Sequence, residues 1–182
     1  IFSSKITFYV FLFAPIILVM IISSKINSLS ASMASFLFFV YSAVTGITLS
    51  AIFLVYTQES IATTFGITAG TFGATALFGY VTKKDLSKMG SILFMLLIGL
   101  IIASVVNMFL KNDTMMWVLT YVGIIIFVGL TAYDMQKLKK IAYSIDEDES
   151  SIAKFAVLGA LTLYLDFINL FLRLLQIFGK KR

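Results

Sequence analysis

Residues 161–175, LTLYLDFINLFLRLL, form an almost wholly apolar run that carries one carboxylate, Asp166. Such runs are typical of membrane-spanning helices, which need about 20 mainly apolar residues to cross the hydrocarbon core of a bilayer. An ionisable side chain inside such a helix is costly when it is charged and unpaired, so it is by default a functional-site hypothesis. We therefore expect a polar partner beside Asp166. Another acid, Asp134, ends the preceding apolar run, TYVGIIIFVGLTAYD, and is the leading candidate.

The composition of the whole chain indicates an integral membrane protein. Its 182 residues are 60% hydrophobic and 13% charged, with a mean hydropathy of +1.02, whereas an average soluble domain is about 25% charged. His and Cys are absent, which removes the usual pH switch, the commonest metal ligand and all thiol chemistry. The basic residues behind the net charge of +5 lie in short clusters between apolar runs. We interpret them as topology-setting charges and expect no nucleic-acid partner.

Six apolar runs predict six membrane spans in an all-α helical bundle, at residues 6–22, 33–56, 61–81, 92–110, 115–135 and 152–178. We expect a single transmembrane domain over residues 1–182. The chain begins with Ile1 rather than Met, which we interpret as the loss of an upstream segment that could hold a further span. The loops after spans one, three and five, with their flanks, hold eight basic residues against five on the opposite side. This difference favours a cytoplasmic position for those loops and for Asp134 beside them.

Small residues recur at every fourth position of the third span, which places them on one stripe of a helix: Ala62, Gly66, Gly70 and Ala74. Lipid provides no hydrophobic drive for helix association, so small residues that let two backbones approach closely favour packing. We expect this stripe to pack against another helix. Residues 136–151 form the only long polar segment, which we interpret as a solvated loop with a basic half and an acidic half.

One face of the last span is polar, because Asp166, Asn169 and Arg173 fall at positions i, i+3 and i+7. That face cannot point at lipid, so the last helix is expected to be central in the bundle. If Asp134 meets Asp166, the two carboxylates cannot both ionise cheaply. One then takes up a proton that the other accepts in a hydrogen bond, and the pair titrates as a unit.

Loss of the shared proton would push the two helices apart and offer a cation an anionic site. Carboxylate oxygens are hard ligands that suit Ca²⁺ better than a transition metal, so Asp134 and Asp166 are also the candidate Ca²⁺ ligands. A structural alternative remains, in which Asp166 forms a salt bridge with Arg173 or with a Lys of another span. Spacing alone does not decide between the two.

Four segments resemble the transmembrane Bax inhibitor motif family, and its bacterial members in particular: LFFVYSAVTGITLS (37–50), FGATALFGYVTKKDLS (72–87), YVGIIIFVGLTAYDMQKLKK (121–140) and LGALTLYLDFINLFLRLLQIFG (158–179). The resemblance covers nearly the whole chain. Its most specific part is the pair of motifs that carry the two aspartates.

The resemblance implies a seven-helix fold in which six helices surround the last, so the present sequence would lack the first helix. It implies a pH-sensitive calcium leak channel whose paired-aspartate sensor closes the pore near the cytoplasmic side, and by motif match the sensor is Asp134 and Asp166. A basic residue after the second family helix partners the pair in some members, and Lys25 in ISSKIN is the candidate for it. A Glu in the middle of that helix has no counterpart in FYVFLFAPIILVM. Other bacterial relatives are associated with a membrane protease as modulators.

We therefore expect a multi-pass protein of the inner (plasma) membrane that conducts cations, with Ca²⁺ as the permeant ion, no tightly bound cofactor and no enzymatic activity. Asn169, Arg173 and Lys25 are the expected supporting polar groups. The alternative is a non-conducting regulator that binds another membrane protein, such as a protease. An intramembrane aspartyl protease is disfavoured, because the two aspartates follow Tyr and Leu rather than the glycine context (GxGD) that such proteases carry.

Overall fold

The computed structural model describes residues 5–26, 28–144 and 148–182, and these residues form helices joined by short connections. The helices are α1 (Lys5–Lys25), α2 (Ala31–Leu49), α3 (Ile52–Val55), α4 (Gln58–Val81), α5 (Ser87–Leu110), α6 (Asp113–Ala142) and α7 (Glu149–Phe178). Among these described residues, five helical stretches are long and apolar enough to cross a membrane, namely Ala31–Val55, α4, α5, α6 and α7. The prediction of an all-α membrane bundle is confirmed. A helix also forms at the first predicted span, and whether α1 crosses the membrane stays a prediction.

The second predicted span is broken near its end. The Ser50 hydroxyl donates a hydrogen bond to the Ile47 carbonyl at 2.6 Å, and α2 ends at Leu49 before the single turn of α3. Ser50 is the C-cap residue of α2, where its side chain and its backbone N–H both bond carbonyl groups of the last turn.

Helix α6 is longer than the sequence predicts. It continues to Ala142 rather than ending near Met135, so three lysines that we assigned to a solvated loop are helical: Lys137, Lys139 and Lys140. Basic residues in the last turn of a helix interact favourably with its dipole. Lys139 also donates to the Tyr80 carbonyl at 2.7 Å, and its Nζ lies 4.7 Å from the centroid of the Tyr80 ring. The loop assignment was therefore wrong up to residue 142 and again from Glu149, where α7 begins, while residues 145–147 lie outside the described part of the chain.

The chain divides into two compact units. The first comprises residues 1–55 and 144–162, in which α1 packs against α2. The second comprises residues 56–143 and 163–182, in which α4 and α5 both pack against α6. The second unit holds a continuous apolar core from three helices: Leu93 and Leu100 of α5, Ile126, Phe127 and Leu130 of α6, and Leu170 and Leu174 of α7. Large apolar side chains on the outside of its helices are exposed, as expected for a surface that faces lipid.

Within the second unit, the final part of α7 contacts all three other helices. Besides the core residues above, Phe167 packs edge-on against Phe65 and Phe72 of α4, with ring centroids 5.3 and 5.4 Å apart. Beyond the helix, the Thr57 amide donates to the Lys180 carbonyl at 2.9 Å, which fixes the C-terminal tail to the start of α4. This part of α7 is therefore central within its unit, and its centrality in the bundle as a whole stays a prediction.

The close approach of α4 to α6 is made by Gly79, not by the small-residue stripe. A Cβ at Gly79 would fall on the backbone of Ala132, only 2.8 Å from its Cα atom. At Gly66 and Gly70, by contrast, an added Cβ would meet nothing within 4 Å among the described residues. No described helix of the second unit meets Gly66 or Gly70, so packing of the stripe against another helix stays a prediction.

We predict that Gly79→Ala destabilises the protein by about 1–3 kcal/mol, because the added methyl group forces α4 and α6 apart. The measurement is thermal unfolding of the purified protein in detergent. Gly66→Ala is the matched control, since it makes the same change on the same helix in open space. Equal unfolding temperatures for the two variants would contradict the Gly79 contact.

Candidate functional site

The structure brings the two predicted aspartates together inside the second unit. A side-chain hydrogen bond joins Asp134 of α6 to Asp166 of α7. Asp166 is only 5% exposed, and its Oδ2 atom has no hydrogen-bond partner among the described residues. An ionised carboxylate is a pure acceptor, so a hydrogen bond between two carboxyl groups needs a proton on one of them. The pair is thus a largely buried acid site, whose hydrogen bond requires a proton on one of the two carboxyl groups.

Two glycines of neighbouring helices position Asp134. Ala132 lies against Gly79 of α4, and the Tyr133 ring lies over Gly90 of α5, where an added Cβ would be 2.5 Å from the ring. Both contacts involve residues directly before Asp134. They hold this turn of α6 between α4 and α5 and leave its acid directed at α7.

Just beyond Asp134, α6 anchors the loop between α4 and α5. The buried side chain of Gln136 accepts a hydrogen bond from the Leu86 amide at 3.0 Å and donates one to the Lys84 carbonyl at 2.8 Å. One turn later, Lys140 forms an ion pair with Asp85 at 2.8 Å. The loop of residues 82–86 is thereby fixed to the helix that carries the acid.

The exposed ion pair of this loop does not respond to pH near neutrality. The hydrogen bond from Lys140 is the main cause that lowers the pKa of Asp85 to about 2, with hydrogen bonds from Ser87 adding to it. A depressed pKa means that the pair contributes to stability above the ordinary pKa of the group and loses that contribution as the pH falls towards 2. Asp85 is therefore ionised throughout the physiological range.

Asp166 is positioned by its neighbours on α7. Phe167 packs between two phenylalanines of α4, and Leu170, one turn further along, is fully buried in the core. These apolar contacts fix the rotation of α7 about its own axis. Asp166 consequently lies on the side of α7 that meets α6 rather than lipid.

Two of the other predicted polar groups, Asn169 and Arg173, do not join the pair in the described part of the chain. The Asn169 amide donates to the Leu165 carbonyl of its own helix at 2.8 Å. Arg173 forms no ion pair with Asp166 in the described part of the chain, so the alternative of a salt bridge between them is not supported. Lys25 ends α1 in the first unit, and its proposed role stays a prediction. The base that acts on Asp134 is Lys137, three residues further along α6.

Comparisons with known proteins agree with this fold. A family described as "Inhibitor of apoptosis-promoting Bax1" matches residues 1–182. The chain belongs to this Bax inhibitor-like family. It is 55% identical over its whole length to the Escherichia coli protein named inner membrane protein YbhL, of which it covers 78%. It is 48% identical to an uncharacterised protein of Borreliella burgdorferi, of which it also covers 78%. It is 44% identical to Rickettsia prowazekii protein RP147, with 95% of the chain and 73% of that protein aligned.

This Bax inhibitor-like protein is a multi-pass protein of the inner membrane, as its five span-length helices and its similarity to YbhL show. Its acid pair supplies only two carboxylates. The residues described include no group of three or more His, Cys, Asp or Glu side chains that could hold a metal ion. A resident Ca²⁺ ion usually takes six to eight oxygen ligands, more than the two carboxyl groups of the pair supply.

Sequence reasoning missed the part played by Gln136 in this Bax inhibitor-like protein. Its polar side chain follows the apolar run directly, so it was assigned to the solvated segment, although it is 6% exposed in the structure. Its partners are backbone groups about 50 residues earlier, at 84 and 86. The sequence gives no sign of which backbone groups a side chain will bind. Only the position of Gln136, two residues after Asp134, could have drawn attention to this residue.

We predict that Gln136→Met destabilises the protein by about 1–3 kcal/mol and speeds amide exchange at Leu86, because the variant leaves that buried N–H without an acceptor. The measurements are unfolding in detergent and hydrogen exchange of the 82–86 loop. Lys140→Met serves as the control, since it removes an exposed ion pair of the same loop, and such pairs contribute little. Unchanged exchange at Leu86 in Gln136→Met would contradict the anchor.

Proposed function

We propose that this Bax inhibitor-like protein is a passive, pH-gated cation leak pathway for Ca²⁺, with Asp134 and Asp166 as its proton sensor. The observation that carries the proposal is the hydrogen-bonded acid pair, buried between two span-length helices, with one carboxylate oxygen of Asp166 left unpaired. The sensor has no catalytic role in this proposal, and no cofactor is required. The permeant cation is the cargo of the protein.

Gating follows from the electrostatics of the pair. With one proton between them, the two carboxyl groups attract and hold α6 against α7. Without it, two negative charges about 4 Å apart repel by about 4 kcal/mol at an effective dielectric constant near 20. That energy exceeds the ~1 kcal/mol net contribution of a typical hydrogen bond, so deprotonation favours separation of the two helices and leaves an anionic site between them.

The same site accounts for passage of a hard cation. Carboxylate oxygens are ligands that Ca²⁺ prefers, and two of them attract the ion without completing its coordination shell. Conduction requires binding that is strong enough for entry and weak enough for release. The proposed site meets both conditions through its small number of ligands.

We expect Ca²⁺ flux into liposomes containing the protein to rise between about pH 6 and about pH 8, the range in which a perturbed pair replaces the missing His. Asp134→Asn and Asp166→Asn should each make the flux independent of pH, because neither variant can form the doubly charged pair. Asp85→Asn is the matched control: its carboxylate stays ionised over this range, so the pH profile should not change.

Two results would refute separate parts of the proposal. Flux equal to that of empty liposomes at every pH would exclude the leak pathway. Flux that keeps its pH dependence in both aspartate variants would exclude the pair as the sensor while leaving conduction intact.

A second candidate function is that of a non-conducting regulator bound to another membrane protein. The uncovered backbone at Gly66 and Gly70 favours it, because no described residue lies within 4 Å of a Cβ added at either glycine, and small residues permit close approach of a partner helix. Co-purification of a stoichiometric membrane partner, lost in Gly66→Leu, together with no flux from the purified protein would favour this function. A wild-type protein that conducts and purifies alone would count against it.

A further inference from the structure

A cleft of about 390 Å³ lies at the end of the second unit where α5 ends and α6 begins. It is distant from the 82–86 loop, because α5 has 24 residues and so separates its two ends by about 36 Å. Its polar lining comes from three helices and the turn between two of them, and it includes Ser104, Asn107, Lys111, Asn112, Asp113 and Arg173. The cleft therefore lies where two spans meet the membrane surface, away from the acid pair.

Arg173 is the strongest feature of this cleft. It is a partly buried base on an apolar helix, yet the described residues provide it with neither a hydrogen-bond acceptor nor an ion-pair partner. Gly123 makes room for it, since a Cβ there would stand 3.0 Å from the Arg173 Nε atom. A guanidinium group has five N–H donors in a planar fork that matches carboxylate and phosphate oxygens. Its natural complement is an oxyanion.

The two asparagines of the cleft also present donors. The Asn107 Oδ1 atom accepts from the Asn112 amide at 3.1 Å, and the Asn112 Oδ1 atom accepts from the Met115 amide at 2.8 Å. Because a backbone N–H can only donate, these bonds fix which side-chain atom is the oxygen. Both side chains therefore keep their NH₂ groups free for another acceptor.

Ser104 adds an unsatisfied hydroxyl. Its Oγ atom is buried and has no hydrogen-bond partner among the residues described. A serine in a membrane helix usually bonds back to its own backbone, as Ser91 does to the Ser87 carbonyl on the same helix. A bound ligand with acceptor oxygens would give this hydroxyl a hydrogen-bond partner.

The charges of the cleft sum to a positive value, with two bases, Lys111 and Arg173, against one acid, Asp113. Lys111 is held with φ at 51°, in the left-handed region that favours Gly or Asn at the end of a helix. Lysine is not a residue that this backbone conformation favours. Its positive charge lines the same cleft as Arg173.

We propose that this cleft binds the phosphate group of a membrane phospholipid, with Arg173 as its main ligand, Lys111 as a second cation, and Ser104, Asn107 and Asn112 as neutral donors. The proposal is independent of the leak function. It concerns a site that shares α7 with the acid pair but none of its carboxyl groups.

The surroundings favour a lipid over free phosphate as the source of this group. Met108 and Phe109, at the end of α5, are 66% and 75% exposed, so apolar surface borders the cleft where acyl chains would lie. Trp117 stacks on Tyr121 with ring centroids 6.2 Å apart near the start of α6. Aromatic side chains at this position of a span are typical of the lipid headgroup level.

Native mass spectrometry of the full chain in detergent tests the proposal with phosphatidylglycerol and with a diacylglycerol of the same acyl chains that lacks the phosphate. The protein should retain phosphatidylglycerol and not diacylglycerol. Arg173→Gln should lower the retention about tenfold, because it replaces a charge-assisted fork with a neutral amide. Lys83→Gln is the matched control, since it makes the same charge change in the loop at the other end of α5 and should retain the lipid.

Two further variants test the same cleft in case Arg173→Gln fails to fold. Lys111→Gly suits the left-handed backbone, and Ser104→Ala removes a buried hydroxyl that has no partner among the described residues, so both should fold and both should lower retention. Equal retention of the two lipids, or wild-type retention in the Arg173, Lys111 and Ser104 variants, would overturn the proposal. Thermal stabilisation by inorganic phosphate without stabilisation by phosphatidylglycerol would overturn the lipid as its ligand.

Discussion

The hydrogen bond between the carboxyl groups of Asp134 and Asp166 is the interaction on which the account of this protein depends. It is a bond that exists only while a proton is present, because two ionised carboxylates have no donor between them. The surrounding helices hold the two carboxyl groups next to each other. Gly79 and Gly90 hold the turn of α6 that carries Asp134, and aromatic packing fixes the side of α7 that carries Asp166. Packing of α6 and α7 therefore orients the Asp134 and Asp166 side chains towards each other.

The three polar residues that share one face of α7 lie in three different environments. Asp166 meets an acid, Asn169 bonds to its own backbone, and Arg173 enters a cleft lined by α5 and α6. Asp166 and Arg173 are seven residues apart, or about 10 Å along the helix. If both proposals hold, a phosphate held by Arg173 would restrain the same helix whose position the acid pair is proposed to control.

The apolar runs of the sequence predicted the helices, and the cost of an isolated acid in a membrane predicted that Asp166 meets a polar partner. The sequence did not predict two features of the structure. The Gln136 anchor depends on backbone groups of a distant loop, which no side-chain pattern encodes. The stripe at Gly66 and Gly70 has the spacing of a packing face, yet Gly79 makes the contact. Residues repeated at a four-residue spacing share one face of a helix. Whether another helix packs on that face depends on the position of the neighbouring helix.

The central claim is that the pair carries a proton whose loss opens the protein, and infrared difference spectroscopy in liposomes measures that proton directly. Between about pH 6 and about pH 8, the wild-type protein should lose a carbonyl band of a protonated carboxyl group, over the same range in which flux rises. The band should be absent from the double variant Asp134→Asn with Asp166→Asn. An identical difference spectrum in the double variant, or no protonated-carboxyl band in the wild type at either pH, would contradict the account.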